Sequence, residues 1–569
     1  MLQLLLSWMY IFINVFILAT GIKVFLKRVL KADIKDYDIL LLLAIAMLTV
    51  YAQFFSLFSK LGLAANLFMI LINTAIAWIS RNEIRRCLYS FGHKKHRKMV
   101  AIFFIGLTIV MLANSCGPNV HVDTELYHGQ AVRWMEEYSA VKGLGNIFRR
   151  SAYNSSFLCL QALFSFKFVF GQSIRNMNGF CSLLMFGIVL STLKIWDKKQ
   201  FFASDLLKLI ILLMSAVTDS FTSVNTDLFA MELGVYIFAK WLSCMEDDDK
   251  EPIRYSLLSI LVVYATTLKL SAAFMIVFVI LPAYLLIKEK RWKEICICIM
   301  GGVIVISPFL IRNVLISGYL LYPYAGIDLF AVDWKMSAKE VTADAKEIIY
   351  WGRNMQGSGI ANPTFIQWLP RWYEGLDLPY KIFFAINIIM IPGGIIWGIY
   401  EGLKYKNWRR MIIQVTHIVC LSGWFFSAPL VRYGKAWLFL GWGLPIAHIA
   451  QYIGERIQKW NSKCYIRMVY VGLLSVISIS FMKDILFCTT IVKNTLKGDR
   501  FAYYIEQADY KELKNDAFSW NGMVFYDEST SGSTGYHDFP VSVPWILERV
   551  ELRGGSIQDG FRLKNGKEN

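Results

Sequence analysis

Residues 256–287 read SLLSILVVYATTLKLSAAFMIVFVILPAYLLI, an apolar run interrupted by one charged residue, Lys269. A bilayer core of about 30 Å is crossed by about 20 helical residues. As a single helix this run would be about 48 Å long, far more than a bilayer needs. Both flanks are basic, with Lys250 and Arg254 before it and Lys288, Lys290, Arg291 and Lys293 after it. Basic loops mark the cytoplasmic side of a membrane. The run is therefore read as two short spans that leave the cytoplasmic side, meet outside near Lys269 and return.

The rest of the chain repeats this pattern. Of its 569 residues 56% are hydrophobic and only 18% charged, against about a quarter charged in soluble domains. Helix is the default for the apolar blocks because lipid offers an open backbone no partner. The N-terminal block, 2–25, has its basic residues (Lys23, Lys27, Arg28, Lys31) at its end rather than ahead of it. That order predicts a retained span with its N-terminus outside, not a cleaved signal. Further spans are read at 39–58, 62–80, 99–115, 177–196, 206–219, 227–244, 294–311, 379–400, 411–428, 436–453 and 466–484, about 14 in all. The loops 81–98, 404–410 and 456–467 are basic and read as cytoplasmic. The net charge of +17 follows mostly from those loops, so nucleic acid is not expected as a partner; membrane lipids and phosphate-bearing substrates are. The ten cysteines are scattered, mostly within apolar blocks, with neither metal-ligand spacing nor a disulfide framework.

Three regions result: 1–98, three spans and a basic loop; 99–484, a membrane core with external loops 116–175 and 312–378; and 485–569, a polar extracytoplasmic tail or small domain. In 116–175 apolar residues recur at helical spacing between charged ones, which predicts amphipathic helices lying along the outer surface.

The topology rests on Lys and Arg in loops, and it places the remaining ionisable groups on the outer side. Asp123, Glu125, Asp219, Asp227, Lys269, Arg312, Arg353, Arg432 and Lys435 all fall there, several against apolar spans where a charge needs a partner or a function. The densest element is His121-Val-Asp123-Thr-Glu125-Leu-Tyr-His128. A carboxylate here can act as general base on a hydroxyl, or hold a divalent cation with its neighbours; equally, Asp123 can cap the helix that follows. His121 and His128 are candidate metal ligands or interfacial hydrogen-bonding groups. Lys269 can meet a lipid phosphate or snorkel to headgroups. Arg432 can bind phosphate bidentately or pair with Asp219 or Asp227. Those two aspartates can position the cations, bind substrate hydroxyls, or serve as turn residues. Aromatic residues crowd 319–378 (Tyr319, Tyr322, Tyr324, Trp334, Tyr350, Trp351, Trp368, Trp372 among them), as sugar-stacking faces or as an interfacial belt. Asn154-Ser-Ser matches a glycosylation acceptor pattern.

The fourth span, Asp123-x-Glu125 and the amphipathic stretch after it resemble the opening module of the GT-C superfamily of membrane glycosyltransferases, with three extra spans ahead. Arg432-Tyr433 is similar to an Arg-Tyr element late in several such enzymes. The run Asp123-Thr-x-Leu-Tyr-His128, with Arg133-Trp134, Glu137-Tyr138, Gly143-Leu-Gly-Asn146 and Asn154-Ser-Ser156, also looks like multispanning proteins associated with bacterial surface polysaccharides. Asp-x-Glu departs from the commoner adjacent acidic pair, so the base can be either Asp123 or Glu125.

The resemblance implies a GT-C-like, all-α polytopic membrane protein of the bacterial cytoplasmic membrane, with its site facing the periplasm or exterior. The implied donor is a polyprenyl-phosphate-linked sugar and the acceptor a glycan or lipid. Asp123 and Glu125 would be catalytic. Lys269, Arg312, Arg432, Tyr433, Asp219, Asp227 and His128 would bind substrate or phosphate. No nucleotide cofactor is expected, and a divalent cation is left open. A polymerase or ligase using polyprenyl-diphosphate-linked chains is the alternative enzyme. A lipid-linked sugar flippase is the alternative of another class, and it would need ionisable residues near the midplane and along both halves of its route.

Overall fold

The computed structural model describes residues 1–92, 97–198, 200–216, 221–249, 251–404 and 408–564. The chain is a multi-pass helical membrane protein, 71% helical with little sheet. Among the described residues eight helices are long and apolar enough to cross a bilayer: Leu2–Val29, Tyr37–Ser56, Leu63–Tyr89, Leu228–Glu246, Leu270–Lys288, Trp292–Ser317, Leu378–Lys404 and Ser462–Leu496. The other expected spans are helical too, but shorter or more polar: Val100–Ser115, Met177–Thr192, Pro252–Leu268 and Met411–Ser427, with Ala203–Ala216 and Val431–Trp460.

The 256–287 run breaks at Lys269. The helix Pro252–Leu268 ends on Lys269, which is extended at φ −149° and ψ 124°. A 3₁₀ stretch, Leu270–Val279, then leads into the helix Ile280–Lys288 and packs back along the first arm. Because a 3₁₀ helix rises about 2.0 Å per residue against 1.5 Å for α, the return arm is about 34 Å long and spans a bilayer with only 19 residues. Ser155 Oγ donates to the Leu268 carbonyl at the break (2.7 Å), and Ser156 Oγ lies 2.8 Å from Thr267 Oγ1. Irregular backbone at this depth needs such partners.

One end of the bundle gathers the N-terminus, the 116–175 segment and the C-terminal region. The Met1 amino group donates to the Tyr503 carbonyl (2.6 Å). Arg175, 1% exposed, donates from Nε to the Thr222 carbonyl (2.7 Å) and from Nη2 to the Ala508 carbonyl (2.5 Å), with its guanidinium over the Tyr510 ring. The 116–175 segment is less superficial than expected. The helix Gly129–Glu137 is amphipathic, but Ser156–Leu163 is buried throughout, packed on Tyr37–Ser56.

The tail begins later than expected, because the helix Ser462–Leu496 continues past residue 484. Beyond it lies a small β unit. Strands Asp516–Trp520 and Met523–Asp527 form an antiparallel hairpin through Asn521-Gly522, both at positive φ, the conformation that a two-residue Asn-Gly turn favours. Val541–Ser542 adds in parallel to the second strand, and Val550–Leu552 pairs with Phe561–Leu563. Phe525, Leu547, Val550 and Phe561 share a core with Trp134, Val141, Leu144 and Ile316 of the membrane unit.

The structure corrects one expectation about charge. Ionisable side chains are also buried in the interior and toward the opposite end. Lys240 pairs with Asp38 (2.8 Å) and Asp36 (2.7 Å), and Arg254 with Asp36 (2.9 Å). Lys208 lies 3.5 Å from Asp205, and Glu232, fully buried, accepts from Ser182 (2.8 Å). Glu232, Lys240 and Lys208 sit inside apolar runs, where a loop-based reading of charge passes over them, whereas Asp36, Asp38 and Arg254 stand at the polar ends of such runs.

Candidate functional site

At the gathered end, four of the sequence-predicted residues form two ion pairs around one ring. Arg432 Nη1 donates to Asp123 Oδ2 at 2.9 Å. Lys269 Nζ is bonded to Asp227 Oδ1 and lies 3.8 Å from the centre of the Tyr433 ring. Arg432 Nη2 also donates to Tyr433 Oη (3.3 Å). The space between Asp227, Lys269, Arg432, Tyr433 and Trp437 is about 10 Å³, close to the smallest void that holds a water. The charged groups therefore satisfy one another, with the Lys269 and Arg432 side chains still partly exposed.

Local structure explains why these carboxylates are available. Asp227 stands before the helix Leu228–Glu246 but makes no side-chain cap bond. Asn225 Oδ1 caps instead, accepting the Asp227 and Leu228 N–H groups (2.6 and 3.2 Å). Asp123 likewise makes no cap bond to the π-helical turn Thr124–His128. Both aspartates are thereby free to face cations. Arg432 pairs with Asp123 rather than with Asp227; Asp219, the other candidate partner, lies outside the described residues.

Arg432 occupies the first turn of Val431–Trp460, whose positive N-terminal dipole end adds to the local attraction for an anion. The stretch ahead of it is fixed by indoles. Trp372 Nε1 donates to the Pro429 carbonyl (2.7 Å) and Trp424 Nε1 to the Leu430 carbonyl (2.8 Å). Much of the aromatic 319–378 region thus anchors structure. Tyr319 and Tyr322 are buried, donating to the Met336 carbonyl (3.1 Å) and to Asp344 (2.8 Å), whereas Tyr324 and Trp351 stay exposed. Gly434 lies against Trp424, and a Cβ there would approach Cε2 to 2.2 Å. Gly434→Ala is expected to destabilise the protein by about 1–3 kcal/mol through this overpacking, and to shift Arg432. Thermal unfolding in detergent measures the first effect.

The remaining expected residues face elsewhere. Glu125 accepts from Asn119 (3.2 Å) and lies 3.6 Å from Lys511. Residues two apart on a helical turn point in different directions, so Glu125 and Asp123 diverge. Arg312 is not in a loop: it lies within the helix Trp292–Ser317, buried, donating to Ser56 Oγ (2.9 Å). Arg353 donates to the Phe426 carbonyl (2.7 Å), and Asn154 Nδ2 to the Phe309 carbonyl (3.0 Å). Among the described residues no three His, Cys, Asp or Glu side chains converge as metal ligands.

His128 lies against the site with Nδ1 2.6 Å from the Val224 carbonyl, and the His121 ring accepts the Asp123 N–H (3.3 Å). Burial pushes His128 down to about 4, so it is neutral near pH 7. Burial also pushes the Asp123 carboxyl upward, but His128 when protonated and Arg432 at any pH hold it below its ordinary value. Because unfolded His128 binds a proton near 6.5 and the folded residue only near 4, acidification through that window favours unfolding. The expected loss is about 3 kcal/mol between these limits. His128→Asn is expected to flatten that part of the stability–pH profile.

Tyr127 and Asn225 were not singled out by sequence reasoning, yet they border the site. The Tyr127 ring is tilted against His128 (4.2 Å between ring centres) and edge-on to Tyr153 (5.6 Å), and burial pushes its hydroxyl well above the ordinary value. Tyr127 was legible as part of the polar run 121–128. Asn225 carries no local signal beyond its position ahead of a helix.

The helices and this cluster define a polytopic α-helical membrane protein with a paired-charge site at one end of its bundle. The chain belongs to the family described as domain of unknown function DUF8201, whose model matches residues 1–439 and so includes all five site residues. No curated protein and no solved structure matches the chain.

Proposed function

We propose that the chain is a GT-C-type glycosyltransferase of the bacterial cytoplasmic membrane. It moves a sugar from a polyprenyl-phosphate-linked donor to a glycan or lipid acceptor at the outer face. The observation that carries this reading is the pairing of Lys269 and Arg432, both against Tyr433, with Asp227 and Asp123. A lipid phosphate arriving at the end of the bundle is a better partner for two cations than two separate carboxylates are. Its binding exchanges Asp123 out of the pair with Arg432 and leaves it beside the sugar. Asp123 then takes the proton of the acceptor hydroxyl. The acceptor oxygen forms the new bond to the anomeric carbon as the bond to phosphate oxygen breaks. That oxygen leaves with the electron pair, stabilised by Lys269 and Arg432. Concentration of Lys and Arg in loops at the opposite end supports an outward-facing site. A polymerase or ligase acting on diphosphate-linked chains would use the same cations.

A flippase or transporter is the second reading, and two observations favour it. A cavity of about 390 Å³ lies at the opposite end, lined by Glu246, Trp397, Gln414, His448, Gln451 and Glu455 among others, whereas the space at the paired-charge site is about 10 Å³. Buried charges also accompany that end. Purified protein in liposomes separates the two readings: a labelled polyprenyl-phosphate sugar is either transferred to an acceptor or moved intact between leaflets. Transfer lost in Asp123→Asn supports the transferase, and movement of intact donor without transfer overturns it.

A further inference from the structure

The C-terminal β unit meets the membrane domain at the turn that carries Asp123, and it grips that turn by its backbone. Thr124–His128 is π-helical, a wider and less favourable turn than α. Its outward carbonyls are taken by the loop 533–538. Gly535 N–H donates to the Glu125 carbonyl at 2.7 Å. Thr534 Oγ1 donates to the Leu126 carbonyl (3.1 Å) and the Glu125 carbonyl (3.3 Å). Gly535 adopts φ +65° in presenting its N–H, and a Cβ on Gly129 would come within 3.3 Å of the Gly535 oxygen. Glycine at both positions permits this approach.

The next helix grips the loop in return. Gln130 Nε2 donates to the Asp538 carbonyl (2.9 Å), and Arg133 Nη1 donates to the Tyr536 and His537 carbonyls (3.0 and 2.8 Å). Tyr536 Oη donates to the buried Glu136 carboxylate (2.5 Å), and its ring stacks on Tyr510 at 4.2 Å. Lys511 lies 3.6 Å from Glu125 on the outer side of the turn.

We infer that the C-terminal unit is a built-in clamp that holds the π-turn in register, so that Asp123 points at Arg432. Thr534, Gly535 and Tyr536 are its positioning residues. A π-turn holds one residue more than the α-helix it interrupts. Relaxing it to α rotates everything ahead of it by about 100° relative to the helix Gly129–Glu137. Such a rotation carries the Asp123 carboxylate away from Arg432, whose own position is fixed independently by the Trp372 and Trp424 indoles. Thr534 and Gly535 lie beyond residues 1–439, the part matched by the family model. The structural claim stands without the transferase reading; only its effect on turnover rests on that reading.

The test is hydrogen–deuterium exchange on the full-length protein in nanodiscs, comparing wild type, Thr534→Val, Thr534→Ser and Tyr536→Phe. Thr534→Val and Tyr536→Phe are expected to exchange about tenfold faster at 121–130, while the hairpin 516–527 stays protected. Thr534→Ser keeps the hydroxyl and is expected to match wild type. Transfer assays on the same samples should show kcat falling in Thr534→Val and Tyr536→Phe with donor KM little changed. Wild-type exchange at 121–130 in both of these variants, or equal acceleration in Thr534→Ser and Thr534→Val, overturns the clamp. Faster exchange there, in a protein whose wild type transfers no sugar, supports the clamp and removes the transferase reading instead.

Discussion

Asp123→Asn is expected to lower kcat for sugar transfer by about 10²–10⁴-fold, with donor KM nearly unchanged. The amide has the same shape and can still accept the Arg432 hydrogen bond through its oxygen, so packing is preserved. It cannot take a proton. Glu125→Gln is the internal control, because Glu125 is engaged with Asn119 and Lys511 on the other side of the turn. Its effect is expected to stay below about tenfold, the size of a lost partly exposed contact. Steady-state transfer from a labelled polyprenyl-phosphate sugar measures both. A larger loss in Glu125→Gln than in Asp123→Asn would exchange their roles.

Lys269→Gln and Arg432→Gln are each expected to cost about 10²–10³-fold in kcat, the range for removing a donor from developing charge. Each also leaves a carboxylate without its cation; because the Lys269 and Arg432 side chains are partly exposed, the destabilisation is expected to stay below the about 3–5 kcal/mol of a fully buried pair. The charge-neutral double variant Asp123→Asn/Arg432→Gln should recover much of that stability and no activity, which separates the two effects. Arg432→Gln has a further signature. Burial pushes the Asp123 carboxyl up and Arg432 is one of the charges holding it down. Without Arg432 the acid limb of the kcat/KM–pH profile is expected to move to higher pH. In the wild type the same limb is expected to lie higher in kcat than in kcat/KM, because bound donor phosphate draws Arg432 away from Asp123.

The membrane class was legible because apolar block length and basic loops are strong, local signals. The turn at Lys269 was legible for the same reason: its run was too long for one span and both flanks were basic. The association of Asp123, Asp227, Lys269 and Arg432 at one end followed from topology alone. Their partnership did not. Whether Asp227 caps its helix or meets Lys269 depends on Asn225 taking the cap, a choice between two neighbouring residues that local sequence leaves balanced. Arg312 was misplaced because its helix runs to Ser317, and a polar residue near a span end looks the same inside a helix as just beyond it. Glu232 and Lys240 were hidden because each is a single polar residue within an apolar run, satisfied by partners distant in sequence. The C-terminal grip on the π-turn is made largely through backbone carbonyls, to which side-chain identity gives little guide.

The most direct measurement of the central claim is a density map of the protein in nanodiscs with a polyprenyl monophosphate. The phosphate is expected within hydrogen-bond distance of both Lys269 and Arg432, with the Asp123–Arg432 contact opened. A bound phosphate elsewhere, or one bound while both ion pairs remain intact, would contradict the account.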